Sequence, residues 1–512
     1  MFLILAAGSA SATTYYIAAN GSDSNSGTAK TSPWLHAPGM AGCSATCAST
    51  TPKAGDQFIF RGGDTWHFGN SSVLTYVGSG GWGWSWSGTS ASPIYIGVDQ
   101  TWYAGGSWAR PVLTGDNATS GALVGSCAHA SPTFFNATDQ SYVTIDNFEW
   151  TGRCDSGAGP DYIWYGRSGP ATGNAGMTVS NNYFHGWTLT SGGQDVSYAV
   201  QGYADNTGAN PATVVSNNVI DGSDSYCTGA NACSGGFLYG DCTYVTNNVV
   251  RYVANVGVCN DTLVFAGNNV QYVYESFGST HGNVMEWLGF GPSGTNTMYV
   301  YNNLIANATI GETIDINIAS IAYTFNNVYF NNGNPANCHM DESANGATVT
   351  QYHFNNTYDN PCTVRIFQTF IGTEHFQNLH IVSYSPATIS SLYNNEAGAS
   401  VSSDGSYVFQ TESTASGQGY TPSNNYAPTA SSDATVSAGA NLTSRCNSMG
   451  YTAAASACKA GNAAVSYDST NHIATVPNPA ARPSSGNWDV GAYQYGAAVT
   501  VNPPTGLSAT VN

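Results

Sequence analysis

Between residues 179 and 379 one short pattern recurs: an apolar or aromatic residue, a spacer, Asn-Asn, then usually another apolar residue. It reads Val179-Ser-Asn-Asn-Tyr183, Val215-Ser-Asn-Asn-Val219, Val245-Thr-Asn-Asn-Val249 and Phe265-Ala-Gly-Asn-Asn-Val270. It continues as Val300-Tyr-Asn-Asn-Leu304, Thr324-Phe-Asn-Asn-Val328 and His353-Phe-Asn-Asn-Thr357, and closes on the degenerate His375-Phe-Gln-Asn-Leu379. Taking the second Asn as the mark gives positions 182, 218, 248, 269, 303, 327, 356 and 378. The gaps are 36, 30, 21, 34, 24, 29 and 22 residues. The shortest gaps define a turn of 21–24 residues, and the longer ones carry loop insertions. A repeat of this length, rich in β-branched and aromatic residues and without helical periodicity, specifies a stacked β-solenoid. Asn suits the bends between its short strands because it tolerates left-handed backbone and hydrogen-bonds its neighbours. A β-sandwich is the alternative, but sandwich turns have no reason to repeat one motif eight times.

Composition excludes several function classes. Only 8% of the 512 residues are charged, and the net charge is −19 with 11 Lys and Arg. No basic stripe exists to neutralise phosphates, so nucleic acid is not a partner. Met1–Ala12 is an apolar run ending in Ala10-Ser-Ala12, which reads as the remnant of a secretory signal; a buried first strand is the alternative. No later stretch is long and apolar enough to span a membrane. The chain therefore reads as a secreted, extracellular monomer.

Twelve Cys suit a disulfide-bonded chain. Their spacing suggests Cys43–Cys47, Cys127–Cys154, Cys227–Cys233, Cys242–Cys259, Cys338–Cys362 and Cys446–Cys458. The 17- and 24-residue gaps approximate one turn, so Cys242–Cys259 and Cys338–Cys362 are expected to staple neighbouring coils.

The opening Thr13-Thr-Tyr-Tyr-Ile-Ala-Ala-Asn-Gly-Ser-Asp-Ser, the stretch Gly55-Asp-Gln-Phe-Ile-Phe-Arg-Gly-Gly63 and the closing Asp489-Val-Gly-Ala-Tyr-Gln-Tyr495 carry a resemblance. Together with the Asn-Asn series they resemble secreted right-handed parallel β-helix proteins of the pectin-lyase-like superfamily. The resemblance implies one all-β parallel β-helix over residues 13–496, with 489–495 as a closing strand. It is specific for fold and weak for reaction, because that superfamily hosts lyases, hydrolases, epimerases and adhesins. Residues 385–480 lose the series and read as closing turns and a lateral segment. Residues 497–512 read as a linker and the start of a truncated fibronectin-type-III-like module.

In a solenoid, equivalent positions on successive coils lie about 4.8 Å apart. Residues one turn apart in sequence can thus form one site. Asp241, Asp261 and His281 follow one another at 20-residue intervals. Glu286, Glu312, Asp315, His339, Asp341 and Glu342 extend the same ribbon. Glycoside hydrolysis needs two carboxylates, and stacked acids supply them. The order Asp, Asn-Asp, His-Gly faintly resembles the polygalacturonase family. That resemblance implies Asp241 and Asp261 as the acid/base pair and His281 as an auxiliary. The departures are an Asn before Asp261 and no basic pair after His281.

The expectation is a polysaccharide-cleaving enzyme, first a glycoside hydrolase using Asp241, Asp261 and Glu286, with no required cofactor. His281, Asp315, Glu312 and Asp341 are auxiliary, and Tyr239, Trp287 and Arg365 bind substrate. Trp82, Trp84 and Trp86 alternate along one segment and form either an exposed sugar platform or an apolar cap on the solenoid. A lyase using Arg365 beside Asp341, with Ca²⁺ neutralising a uronate, is the second reading. A non-catalytic glycan-binding protein is the third. The metal complement is open. The Ser/Asp/Asn loop around Asp23 is a candidate Ca²⁺ ligand set, with a simple turn as the stronger reading.

Overall fold

A computed structural model describes residues 12–118, 127–155, 159–166, 176–189, 197–202, 213–227, 235–240, 242–259, 263–273, 284, 286–288, 296–308, 312–315, 320–330, 340–343, 348–359, 364–367, 371–383, 393–394, 400–403 and 405–496. For several strands, among them Glu286–Leu288, Glu312–Asp315, Met340–Ser343 and Val364–Phe367, it gives backbone and register.

The described strands stack into three long sheets of 13, 12 and 11 strands, here called A, B and C. Every pairing within them is parallel, from Thr14–Ile17 against Gln57–Gly62 to Leu379–Ser383 against Tyr407–Thr411. Each coil visits A, then B, then C. One turn, for example, runs Thr178–Ser180, Tyr183–His185 and Ser197–Gly202, and the next begins at Val214–Ser216. This is a parallel β-helix.

The Asn-Asn pair is the corner between A and B, and its two residues do different work. The first adopts left-handed backbone, with φ of 57° at Asn181, 55° at Asn217 and 58° at Asn247. The second turns inward and is fully buried at 182, 218, 248, 268, 303, 327 and 356. Each inner side chain donates from Nδ2 to Oδ1 of the next, at 3.2, 3.1, 3.0, 3.1, 2.9 and 3.3 Å in order. The same Oδ1 accepts the neighbouring backbone N–H, as Asn248 N does to Asn268 at 2.9 Å. The amides thereby satisfy corner backbone groups that no sheet ladder reaches.

Two register marks read from sequence shift by one residue. Gly267 takes the left-handed corner at φ 70°, so the ladder residue is Asn268 and not Asn269. Asn269 begins the sheet-B strand and donates to Val465 O at 2.9 Å. At the far end Asn378 is the left-handed residue, and Leu379 fills the inner place as a core side chain. The coil immediately before the series has Asn147 at φ 67° and Phe148 in the inner place.

Residues 412–496 form a lateral segment, with short helices Glu412–Gly417, Thr443–Asn447 and Thr452–Ala457 and a hairpin of Ser466–Asp468 with Ile473–Thr475. Leu442, Cys446, Met449 and Trp488 pack on the outer face of sheet A against Tyr299, Tyr301, Phe325 and Phe354. Ala415, Tyr420, Tyr426 and Ala492 cover sheet B against Leu304, Val328 and Phe330. The segment reaches back as far as Arg110, whose guanidinium donates to the carbonyls of Asn471 and His472 at 3.0 and 3.1 Å. The expected closing strand at 489–495 is instead irregular chain. It lies beside the helix, where Gly491 N donates to Asn378 O at 2.8 Å.

Four expected disulfides are present: Cys43–Cys47, Cys127–Cys154, Cys242–Cys259 and Cys446–Cys458. Cys242–Cys259 joins successive coils, because Cys259 is in register with Gly240 of the coil before. The proposed Cys227–Cys233 and Cys338–Cys362 pairs involve Cys233, Cys338 and Cys362, which lie outside the described residues, as do 1–11 and 497–512.

Candidate functional site

Sheet C differs from the other two in what lies over it. Among the described residues, none of the outer clusters formed by the lateral segment includes an outward position of sheet C. Phe135, Ile163, Val200 and Leu238 are in register and buried in the core. The next position along each strand, Asn136, Trp164, Gln201 and Tyr239, is half-buried and belongs to the opposite face. The same column continues from Tyr239 through Val258, Glu286, Thr313, Asp341, Arg365 and Asn394. One line along the solenoid therefore carries an aromatic and amide half followed by a charged half.

The register sorts the sequence-proposed residues. Glu286, Asp341 and Arg365 share one register line with Tyr239. Asp315 lies two residues beyond Thr313, on the same strand parity, and is paired with Leu288 and Ser343. Glu286 and Asp315 are thus one rung and two residues apart, about 8 Å between backbone positions. Asp341 and Arg365 are direct neighbours, about 5 Å apart. Trp287 is paired with Cys259 and Ile314, and Glu312 with Met340, one register position away from this line. Asp241, Asp261, His281 and His339 lie outside the described residues.

The tryptophan platform is also corrected. Trp82 is fully buried and Trp84 is 2% exposed. Their indoles donate to Pro38 O at 2.9 Å and Trp86 O at 2.7 Å. Trp84 packs edge-on against Phe58, and Trp86 packs partly buried against the same cluster. No earlier sheet-C strand covers the first coil, so apolar rings close that end of the core. Asp23 is likewise taken. Its carboxylate accepts Leu35 N, His36 N, His36 Nδ1 and Ser44 N at 3.1, 2.9, 2.8 and 3.2 Å, which makes it the hub of a turn.

Sequence reasoning began the site at residue 236 and missed its first half. Trp164 donates from Nε1 to Thr138 Oγ1 at 3.1 Å, and a Cβ at Gly166 would fall 2.1 Å from its ring, so glycine makes room for the indole. With the Gln201 amide oriented to donate, its nitrogen lies 3.1 and 2.9 Å from the two oxygens of Asp161. Asp161 is 3% exposed and also accepts Tyr198 N at 2.9 Å. Burial pushes its carboxyl up to about 7, against the pull of the Tyr198 N–H and the nearby Arg153 guanidinium. The Gln201 amide adds a further downward pull. Asp161 and Trp164 precede the Asn-Asn series, and Gln201 sits on its first coil, one strand beyond the corner that the repeat marks.

No family model matches the chain, and no curated protein does. Among solved structures it is similar to a rhamnogalacturonan lyase, at 15% identity and a TM-score of 0.37 over 76% of this chain and 87% of that one. It is similar to pectate lyase Pel9A at 13% identity and a TM-score of 0.37, over 96% and 98% of the two chains. It is also similar to the GH136 lacto-N-biosidase from Eubacterium ramulus, at 11% identity and a TM-score of 0.31 over 78% and 67%.

Proposed function

We propose that the protein is a secreted carbohydrate-active enzyme that lays a polysaccharide along the outward column of sheet C and hydrolyses a glycosidic bond on its charged half. The observation that carries this reading is the column itself. Its register is continuous from Asn136 to Asn394, and among the described residues the clusters that close sheets A and B do not include it. Its sequence suits a linear glycan. Trp164 and Tyr239 are two rungs apart, about 10 Å, a spacing at which two rings can each meet a sugar face of one extended chain. Gln201 between them offers a hydrogen bond to a hydroxyl.

In this reading Glu286 protonates the leaving oxygen and Asp315 activates water from the opposite side of the ring. A separation of about 8 Å leaves room for that water and favours inversion of the anomeric centre. Asp241 and Asp261 stay in the proposed carboxylate set, and Asp341 and His281 tune it. The four disulfides support an oxidising, extracellular setting.

One observation favours a second reading. Asp341 and Arg365 are adjacent in register, and a uronate lyase needs a base such as Arg beside a site that neutralises the carboxylate, commonly with Ca²⁺. Incubation with a panel of neutral and uronate polysaccharides separates the two. Hydrolysis yields reducing ends alone, and elimination yields unsaturated, ultraviolet-absorbing ends that require Ca²⁺.

A further inference from the structure

Arg251 lies on the outer face of sheet B, between Asp221 and Gln271 on the neighbouring rungs. Three phenol rings stand around its guanidinium. Its Cζ is 4.8 Å from the ring centre of Tyr252, 5.3 Å from that of Tyr467 in the lateral hairpin and 5.9 Å from that of Tyr272. Rings attract a cation without meeting the directional demand of its five N–H groups. Asp221 is paired with the guanidinium, but its Oδ2 is 3.5 Å from Nε, too far for a hydrogen bond. Asp221 is also engaged elsewhere: it accepts Ser223 N at 3.0 Å and the Tyr467 hydroxyl at 3.1 Å. Nε is buried without a partner. The two Nη groups have no acceptor among the described residues either, and they belong to a side chain that is 27% exposed.

Two of the rings are held there against backbone preference. Tyr252, Tyr272 and Asn307 take equivalent places near the ends of three successive sheet-B strands, all left-handed, with φ of 55°, 61° and 56°. Asn tolerates that conformation, whereas a bulky aromatic residue adopts it under strain. The rings of Tyr252 and Tyr272 stack at 4.6 Å and 3°. We propose that Arg251, framed by Tyr252, Tyr272 and Tyr467, is a second glycan contact, outside sheet C, that takes a sugar bearing a carboxylate. The guanidinium is a planar fork that matches the two oxygens of a carboxylate, and a neutral hydroxyl gains no charge-assisted bond from it. Phenol rings suit the apolar face of the sugar that carries the acid. In a chain of net charge −19, an acidic glycan needs such a local cation to be held at all. The Asp221 charge opposes the ligand and limits its affinity. The inference takes the glycan from the proposed function and adds a site which that reading does not use.

The test is titration calorimetry of the full chain with galacturonate and glucuronate trisaccharides, each against its neutral galactose or glucose counterpart, and with acetate. The wild type should prefer the acidic member by roughly tenfold to a hundredfold, the scale of a hydrogen bond to a charged group. The preference should shrink as salt rises, because the site is partly exposed. Arg251→Gln should abolish it, and Arg251→Lys, which keeps the charge but not the fork, should leave a fraction of it. Asp221→Asn, which can still accept Ser223 N, should bind the acidic member more tightly than the wild type. Survival of the preference in Arg251→Gln, or its loss in Arg365→Gln while Arg251→Gln retains it, overturns the inference and assigns the uronate to sheet C. Acetate binding as tightly as the acidic trisaccharide overturns the sugar part of it. A cooperatively melting wild type that degrades a glycan of the panel, yet shows no preference for the acidic members, overturns the inference alone. One that neither degrades nor binds any glycan overturns the proposed function as well.

Discussion

Asp341 and Arg365 are direct partners in the register of two neighbouring parallel strands, Met340–Ser343 and Val364–Phe367. They fall on the same register line as Glu286, two and three rungs further along. One neighbouring pair thus distinguishes the two chemistries. If the enzyme hydrolyses, Arg365→Ala should alter turnover by less than about tenfold, because no base for a carbanion is required. If it eliminates, the same change should reduce unsaturated-product formation by orders of magnitude, with a matching Ca²⁺ dependence. Initial rates of both products on one substrate decide between them.

The inner and outer Asn of each corner should respond oppositely to mutation. Replacing Asn248 by Ala leaves the buried backbone N–H of Asn218 and one N–H of its Nδ2 without their acceptor, Asn248 Oδ1. Orphaning such groups costs roughly 1–3 kcal/mol each. Asn248→Ala should therefore lower unfolding free energy by about 3 kcal/mol in a denaturant titration. Asn217→Gly should change it by less than about 1 kcal/mol, because glycine adopts left-handed backbone freely and Gly267 already occupies the equivalent corner.

His185 should make stability fall on the alkaline side. Burial alone would push its imidazole down. Hydrogen bonds to Asp224 Oδ2 at 2.7 Å and Glu149 Oε1 at 3.2 Å overcome this and hold it up at about 9. A folded pKa above the unfolded 6.5 stabilises fully below pH 6.5, and the effect is lost as pH rises through about 9. The melting temperature of the wild type should drop across this window. In His185→Gln that drop should shrink, and the variant should be less stable at pH 6 by a few kcal/mol, the scale of a broken buried pair. Identical pH profiles for the two proteins would count against the network.

The lateral segment hangs on Arg482. Its guanidinium is buried and donates to Ala460 O, Asp489 O, Asn326 Oδ1 and Gly491 O at 3.1, 3.0, 3.1 and 2.9 Å. Lysine cannot reproduce this fork. Arg482→Lys and Arg482→Ala should both expose residues 461–496 to limited proteolysis while the solenoid resists digestion. Mass mapping of the first cuts checks this, and cuts confined to the solenoid would show that Arg482 is not the anchor.

The solenoid was legible because its corners repeat a residue pair that few other geometries demand. The sequence alone could not separate the roles within the pair. Only the ladder reveals that Gly267 replaces the outer member and Leu379 the inner one. The tryptophans at 82, 84 and 86 left two readings open for a physical reason: strand alternation predicts a shared face, but not whether that face meets solvent or, as Trp82 and Trp84 do, the core. The charged half of sheet C was visible as acids at coil spacing, although insertions hide where each strand begins and so which residues share a register position. Trp164, Gln201 and Asp161 were invisible, since Trp164 and Asp161 precede the Asn series and Asp161 meets Gln201 only through a contact between neighbouring coils.

The most direct test of the central claim is the product and rate profile of Glu286→Gln against the wild type, on whichever glycan of the panel the wild type degrades. The account predicts reducing ends without unsaturated product in the wild type. In the variant it predicts a loss of turnover on the order of 10²- to 10⁴-fold, as for removal of a general acid, with an unchanged melting curve. Full activity in Glu286→Gln, or an ultraviolet-absorbing product from the wild type, would contradict it.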